Sequence, residues 1–211
     1  PPLLPLRNIS RLEARDFHGI APRFSGPLAG TLDAKNRGRA MDYIIEGQGN
    51  ADPAQIEAIL DRAFGPGREQ KTAYRFRDGV DPVDGLSLVA RLDGRLVGTI
   101  RFWPVLAEAD GGLRDALLLG PIAVEPDLKG LGIGKALMRR GLELARAQGH
   151  RLVILVGDFD YYGKLGFYRV SPGTLIFPGP VDEARILYLE LAPGAMDGIG
   201  GAVLPAGTSA A

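Results

Sequence analysis

Met41 to Glu46 (MDYIIE) forms the first organised run of the chain, a strand candidate closed by Gly47 and Gly49. Asp52 and Pro53 then supply an N-cap and a first-turn proline, and Ile56, Ile59, Leu60 and Ala63 recur at helical spacing up to Phe64. The polar stretch from Gly65 to Gly85 leaves room for a second short helix before Asp81 and Pro82. Leu86 to Leu92 and Arg95 to Trp103 alternate about Asp93-Gly94, a strong two-residue hairpin signal, and Ala116 to Val124 makes a third run. After Pro126 a helix is predicted from Ile133, with Ile133, Leu137, Leu144 and Ala145 inward and Arg139, Arg140, Glu143 and Arg146 outward, until Gly149 stops it. Gly141 in its middle costs about 1 kcal/mol relative to alanine and so predicts a close neighbour.

Leu152 to Val156 is uninterruptedly apolar, as in a strand buried on both faces. The strand, helix and strand from 116 to 156 make a right-handed crossover whose two strands are parallel. A short helix around Tyr161 to Leu165, a strand near Phe167 to Val170 and a last strand at Ile186 to Leu191 complete the reading. The expected fold is α/β (α+β), with a mixed central sheet of about seven strands, antiparallel first and then one parallel pair, and flanking helices.

Residues 1–40 differ, with Pro1, Pro2, Pro5, Pro22 and Pro27, seven basic and three acidic residues, and no sustained period. A poorly ordered basic arm or an upstream extension is expected there, since the first methionine is Met41, with the organised domain at 41–211. The overall balance of 25 basic and 25 acidic residues is therefore the sum of a basic lead-in and a mildly acidic domain. It gives no support to phosphate-driven nucleic-acid binding or to membrane attachment. The absence of cysteine excludes disulfides, thiolate metal sites and a cysteine nucleophile, and two histidines, His18 and His150, leave most His-based metal sites out of reach. Apolar runs such as Leu117 to Leu119 fall far short of the roughly 20 residues that span a bilayer. The N-terminus lacks the order of a secretory leader, so a cytoplasmic location is expected.

The most informative segment is Val124-Glu-Pro-Asp-Leu-Lys-Gly-Leu-Gly-Ile-Gly-Lys135, between a strand and a helix. Gly130, Gly132 and Gly134 at alternate positions let successive N–H groups converge, and the positive end of the helix adds to them, so an anion such as a pyrophosphate is the natural occupant. A P-loop would need glycine at Lys129 and a hydroxyl at Ala136, and a G-x-G-x-x-G fingerprint would need glycine at Lys135 or Leu137; both fail. A plain tight turn needs one or two glycines rather than three in alternation.

Lys129-Gly130-Leu131-Gly132-Ile133-Gly134 resembles the Q/R-x-x-G-x-G/A turn that opens the main helix of the GNAT acetyltransferase superfamily, with Lys129 in place of Gln or Arg. Downstream, Tyr161-Tyr162-Gly-Lys-Leu-Gly166-Phe167 resembles the family's Y-x-x-x-G-F segment. Gly157-Asp158-Phe159-Asp160-Tyr161-Tyr162 and the ending Leu191-Ala192-Pro193-Gly194-Ala195-Met196-Asp197-Gly198 are similar to a branch of predicted acetyltransferases whose acceptor is unassigned. The likeness covers roughly 41 to 207.

The resemblance implies an N-acetyltransferase with acetyl-CoA as acyl donor, no metal, and direct attack by a primary amine. Ile122, Ala123 and Val124 would pair with the pantetheine arm like an extra strand. Lys129, Gly130, Leu131, Gly132, Ile133, Gly134 and Lys135 would hold the pyrophosphate. Tyr162, four residues before Gly166, would be the general acid, with packing beside the thioester as its plainer role, and Tyr161 would be structural. No general base stands out. The position seven before Tyr162 is Leu155, a water relay is expected, and Asp158 and then Glu69 are the weak candidates. The segment from Phe64 to Gly85 would wall the acceptor pocket, whereas core packing is the expected role of Trp103 beside Arg101 and Phe102. The expected partners are a small-molecule amine or a protein amino group, with no nucleic acid or membrane, and a homodimer as the assembly to test. The alternatives are a non-catalytic acyl-CoA sensor or interaction module and, more weakly, nucleotide binding at the glycine turn.

Overall fold

A computed structural model describes residues 28–32, 41–49, 53–70 and 72–206. In chain order these form β1 (Leu28–Leu32), β2 (Met41–Gly47), α1 (Pro53–Phe64), β3 (Leu88–Leu92), β4 (Arg95–Ala109), β5 (Gly112–Val124), α2 (Ile133–Ala147) and β6 (Leu152–Val156). There follow α3 (Phe159–Tyr162), β7 (Tyr168–Arg169), β8 (Leu175–Ile176), β9 (Ile186–Glu190) and β10 (Ile199–Pro205). Two 3-10 turns, Arg68–Gln70 and Thr72–Phe76, occupy the polar segment where a short helix was expected.

The sheet runs β1-β2-β3-β4-β5-β6-β9-β7, and β10 joins it alongside β4 while pairing in parallel with the two-residue β8. Along the main path β5 and β6 are parallel and their neighbours antiparallel, which is the mixed sheet anticipated from the crossover. The described residues hold ten strands rather than about seven. The additional ones escape the period for identifiable reasons. β8 is two residues long, β10 opens Ile-Gly-Gly, and β1 falls within the first 40 positions, where it pairs with β2 from Leu28↔Ile45 to Leu32↔Met41.

The β3–β4 hairpin turns at Asp93 and Gly94, both with positive φ (50° and 79°), as a two-residue turn between right-twisting strands requires. The next hairpin is longer than its apolar runs suggest. β4 continues past Pro104 to Ala109 and turns at Asp110-Gly111 into β5, because Val105 and Ala107 keep pointing inward.

α2 buries Ile133, Leu137, Met138, Gly141, Leu142 and Ala145. Leu144, read as inward, is only partly buried, and Arg140, read as outward, is itself largely covered, so the buried stripe is rotated slightly toward Met138 and Leu142. Gly141 has the close neighbour its position implied: a Cβ there would stand 2.6 Å from the Phe102 ring. Val97, Phe102, Leu117 and Val153 lie beneath this helix in one core layer, while Trp103, Leu118, Ile154 and Ile186 pack in a second layer. Ile56, Ile59 and Leu60 of α1 close a third cluster against Val89, Leu96 and Ala123. Full burial of such side chains contributes about 1.5–3 kcal/mol each, which fixes both helices against the sheet. Among the described residues no helix is long and apolar enough to cross a membrane.

Candidate active site

The parallel pairing of β5 with β6 is brief. Leu117 faces Val153 and Leu118 faces Ile154, and no further pair joins them. β6 then stays with β9 as far as Val156↔Ile186, while β5 follows β4 to Val124, so the two parallel strands part beyond Leu118. The parting coincides with a bulge. Between Ile100↔Ile122 and Phe102↔Leu119, Arg101 on β4 faces the pair Gly120-Pro121 on β5. Gly120 has φ 132°, and the extra residue bends β5 away from β6.

From this fork β5 leads directly to the glycine turn. Ile122 and Val124 are half-buried on one face, and Ala123 is buried on the other against α1. The end of the strand is pinned by Glu125, which is 6% exposed and accepts from Arg62 Nε at 3.0 Å and Nη2 at 2.7 Å, while its own N–H bonds to Val97 O at 2.9 Å. The bond to Glu125, working against burial, raises the Arg62 guanidinium above its ordinary value. Gly130 and Gly132 both adopt the left-handed conformation (φ 89° and 88°), and nothing lies within 4 Å of where their Cβ atoms would be. These glycines are required by backbone geometry, and the space before them is open.

α2 then starts without a side-chain cap, its Ala136 N–H bonding back to Gly132 O at 3.0 Å. The first-turn N–H groups of such a helix have no intrahelical partner. Lys129 and Lys135 are exposed, whereas Leu131 is partly buried and Ile133 wholly buried in the core, so these two bring only their backbone to the turn. Gly134 differs from the other two glycines: a Cβ there would lie 3.1 Å from the Tyr161 hydroxyl.

Tyr162 projects into the fork. Its ring packs so closely over Gly157 that a Cβ there would collide with it, and it meets Tyr161 and Phe167 edge-on at 4.9 Å and 5.8 Å between ring centroids. Burial pushes the Tyr162 hydroxyl well above the ordinary tyrosine value, with Tyr161 and Asp158 adding to the rise and Arg185 opposing it. Tyr161 is raised by burial too. Tyr161 does not line the cavity, and its hydroxyl lies against Gly134 of the glycine turn, so the two adjacent tyrosines stand at opposite ends of the fork and turn.

A cavity of about 440 Å³ opens at the fork. Its walls are the bulged part of β5, from Leu118 to Ile122, the end of β6 with Gly157 and Asp158, Tyr162, and the loop carrying Pro180 to Arg185. The fourth wall comes from Phe64, Arg68, Thr72, Ala73, Tyr74 and Arg77, within the polar segment expected to bound an acceptor. That segment is tied across the cavity mouth by the Thr72 hydroxyl donating to Pro180 O and Arg75 Nη1 donating to Pro178 O at 2.6 Å.

Arg68, Tyr74 and Arg77 are the residues that the sequence did not single out. Arg68 is 5% exposed, donating through Nε to Asp61 at 2.8 Å, through Nη1 to the Tyr74 hydroxyl at 2.5 Å and through Nη2 to Glu57. Burial works against its charge, but Asp61, Tyr74 and Glu57 outweigh burial and raise the guanidinium above its ordinary value. Arg77 stacks between Tyr74 and Trp103, 4.1 Å and 4.6 Å from the ring centroids. The only available signal was the alternation of Arg75 and Arg77 with Tyr74 and Phe76.

Asp158 lines the cavity but is paired with Arg185 at 3.2 Å. The Glu69 side chain lies outside the described residues. Leu155 is buried in the core, Trp103 is buried with its Nε1–H on Val80 O at 3.2 Å, and Arg101 is held by Gln48 at 2.8 Å, away from the cavity lining. Among the described residues no group of three or more His, Asp or Glu could hold a metal.

Residues 47–170 match the family model for the Acetyltransferase (GNAT) domain, a span that contains the fork, the glycine turn and Tyr162. The uncharacterized N-acetyltransferase YjhQ of Escherichia coli K12 is 32% identical over 130 residues, covering 62% of this chain and 71% of that protein. The crystal structure of Escherichia coli YhbS in complex with CoA superposes with a TM-score of 0.66 at 29% identity, over 78% of this chain and 90% of that one. A GNAT acetyltransferase from Brucella melitensis in complex with acetyl-CoA superposes with a TM-score of 0.55 at 31% identity, over 72% of this chain and 89% of that one. With its parted parallel strands, its uncapped glycine turn and a family match over more than half its length, the chain belongs to the GNAT acetyltransferase family.

Proposed function

We propose that the protein transfers an acetyl group from acetyl-CoA to a primary amine by direct attack. The observation that carries this reading is the unpaired edge of β5 beyond Leu118, which runs from a cavity containing Tyr162 to an open, left-handed glycine turn. An extended arm with amide groups fits such an edge as an added strand, and a pyrophosphate fits the N–H groups of the turn. The CoA-bound and acetyl-CoA-bound relatives support the same ligand here.

Acetyl-CoA supplies the activated acyl group, and the chain's residues orient and polarise it. The backbone of Ile122, Ala123 and Val124 pairs with the pantetheine arm. The backbone of Lys129, Gly130, Leu131, Gly132, Ile133, Gly134 and Lys135 receives the pyrophosphate, with the exposed ammonium groups of Lys129 and Lys135 at the rim. At the bulge, β5 N–H groups freed from β6 face the thioester carbonyl, where fixed donors are most effective as negative charge develops. Tyr162 stays protonated because its phenolate is disfavoured by burial, and it donates to the sulfur as the C–S bond breaks. The amine gives up its proton to solvent, since Asp158 is held by Arg185.

Titration calorimetry with acetyl-CoA, followed by thiol release across an amine panel, tests the reading. Binding with turnover supports it, whereas binding without turnover of any amine favours a non-catalytic acyl-CoA sensor. No binding at millimolar cofactor overturns both.

A further inference from the structure

Around Tyr74 three arginines converge on two acids. Glu57 and Asp61 bond Arg68, and Glu57 also stands 3.8 Å from Arg101. Arg77 is the cation left over. No carboxylate of the described residues lies within 4 Å of it, its Nε is buried without a hydrogen-bond partner, and the flat faces of Tyr74 and Trp103 cover both sides of its guanidinium. Burial, with Arg101 and Arg68 nearby, pulls it below the ordinary arginine value, and the Tyr74 hydroxyl opposes that pull. The acids on the cavity wall are engaged elsewhere, Asp158 with Arg185 and Asp182 with the Ala184 N–H.

A half-buried guanidinium whose Nε is fully covered and which has no anion beside it is a costly arrangement unless something completes it. With the rings over its faces, the guanidinium has its edge left to offer, and Arg77 is one of the residues lining the cavity. Its Nη2 stands 3.8 Å from where a Cβ would project from Gly120, the bulge residue at which the strands part. A planar fork presented edge-on is the geometry that receives a carboxylate through two hydrogen bonds. The fork is next to the bulge, so the anion it takes must lie within a few bonds of the nucleophilic nitrogen.

We propose that the acceptor is a small amino acid or close analogue, a primary amine carrying a carboxylate near its nitrogen, and that Arg77 is the residue that selects it. This rests on the acetyltransferase reading of the same cavity. It separates the two acceptor classes left open by the family. A protein N-terminus or lysine side chain carries amides where Arg77 calls for a carboxylate.

The test compares amino acids with their own carboxamides, matched pairs that differ in charge and little in shape, by thiol release with acetyl-CoA. The wild-type protein is expected to favour the acid in kcat/KM by about 10- to 100-fold, the range of a hydrogen bond to a charged group. Arg77→Met, which keeps an unbranched apolar stem but removes the guanidinium from between the rings, brings that ratio toward one, and Arg77→Lys restores part of it. Acetyl-CoA affinity by calorimetry should stay within about threefold in both variants, which shows that they are folded. Equal use of acid and amide by the wild type, or a ratio unchanged in Arg77→Met, overturns the assignment. A parallel loss of rate for acid and amide overturns it as well, because it places Arg77 on the thioester carbonyl. Where no amine turns over but acetyl-CoA binds, calorimetry of the same acids on the CoA complex decides. Binding that disappears in Arg77→Met supports the carboxylate site, and its absence from the wild type overturns it.

Discussion

The two halves of the proposed site are made of different materials. On the proposed cofactor side, the β5 edge and the turn from Lys129 to Lys135 offer backbone groups, with Leu131 and Ile133 facing the core and Lys129 and Lys135 facing solvent. On the proposed acceptor side, Arg68, Tyr74 and Arg77 come from 3-10 turns and loops, and their geometry is set by side chains from α1 and β4. A site made of backbone depends on glycine at fixed spacing. A site made of side chains depends on which distant residues reach one point, so it can change without disturbing the fold.

The largest expected effect lies on the backbone side. Gly132→Asp places a Cβ on a residue at φ 88° and a carboxylate before the helix N-terminus. Acetyl-CoA affinity by calorimetry should fall by more than about 100-fold while circular dichroism stays native, since the site opens to space rather than to the core. A protein that still binds acetyl-CoA normally would show that the turn is not the anion site.

Tyr162→Phe should lower kcat by about 100-fold, the lower range for a general acid, and change acetyl-CoA affinity by no more than about threefold. An unchanged kcat would leave Tyr162 as packing for Gly157 and Phe167. Glu125→Gln probes the Arg62–Glu125 ion pair beneath the turn. It weakens the Arg62 pairing while conserving shape, and a loss of about three- to tenfold in acetyl-CoA affinity is expected with kcat retained, because the loosened strand end feeds the glycine turn. A fall in kcat with affinity unchanged would move Glu125 to the acceptor side.

The same division explains what could be read from sequence. Asp93-Gly94, the apolar stripe of α2 and the five apolar residues of β6 obey local rules, and so do Gly130 and Gly132, whose positive φ excludes most other residues. Gly141 was legible for a related reason, since a helix interior tolerates glycine only where something such as Phe102 needs the space. The bulge was not legible, because a Gly-Pro pair inside an apolar run states no register. Nor was the pairing of Arg68 with Asp61 and Glu57, which are distant in chain position from the cavity's other walls and joined to it only by the fold. Tyr161 falls between the two cases. Its place in the motif was evident, but its approach to Gly134 depends on how α3 packs against α2.

The smallest expected effect is a negative one, and it tests both halves together. Burial disfavours the phenolate of Tyr162, so its proton is retained to higher pH than that of a free tyrosine. An acid that must be protonated to work would abolish turnover above its own pKa, so raising that pKa moves the descending limb upward and out of the range in which the protein is assayed. Asp158 is engaged by Arg185 at 3.2 Å. The profile of log kcat/KM against pH should therefore rise with the ionisation of the amine and then stay level to about pH 10, the ordinary tyrosine value. Asp158→Asn should leave that rise in place and reduce the rate by less than about threefold. A descending limb between pH 7 and 9 that disappears in Tyr162→Phe would mean that the hydroxyl is better solvated than its packing against Gly157 and Phe167 allows, and that the acceptor side opens during turnover.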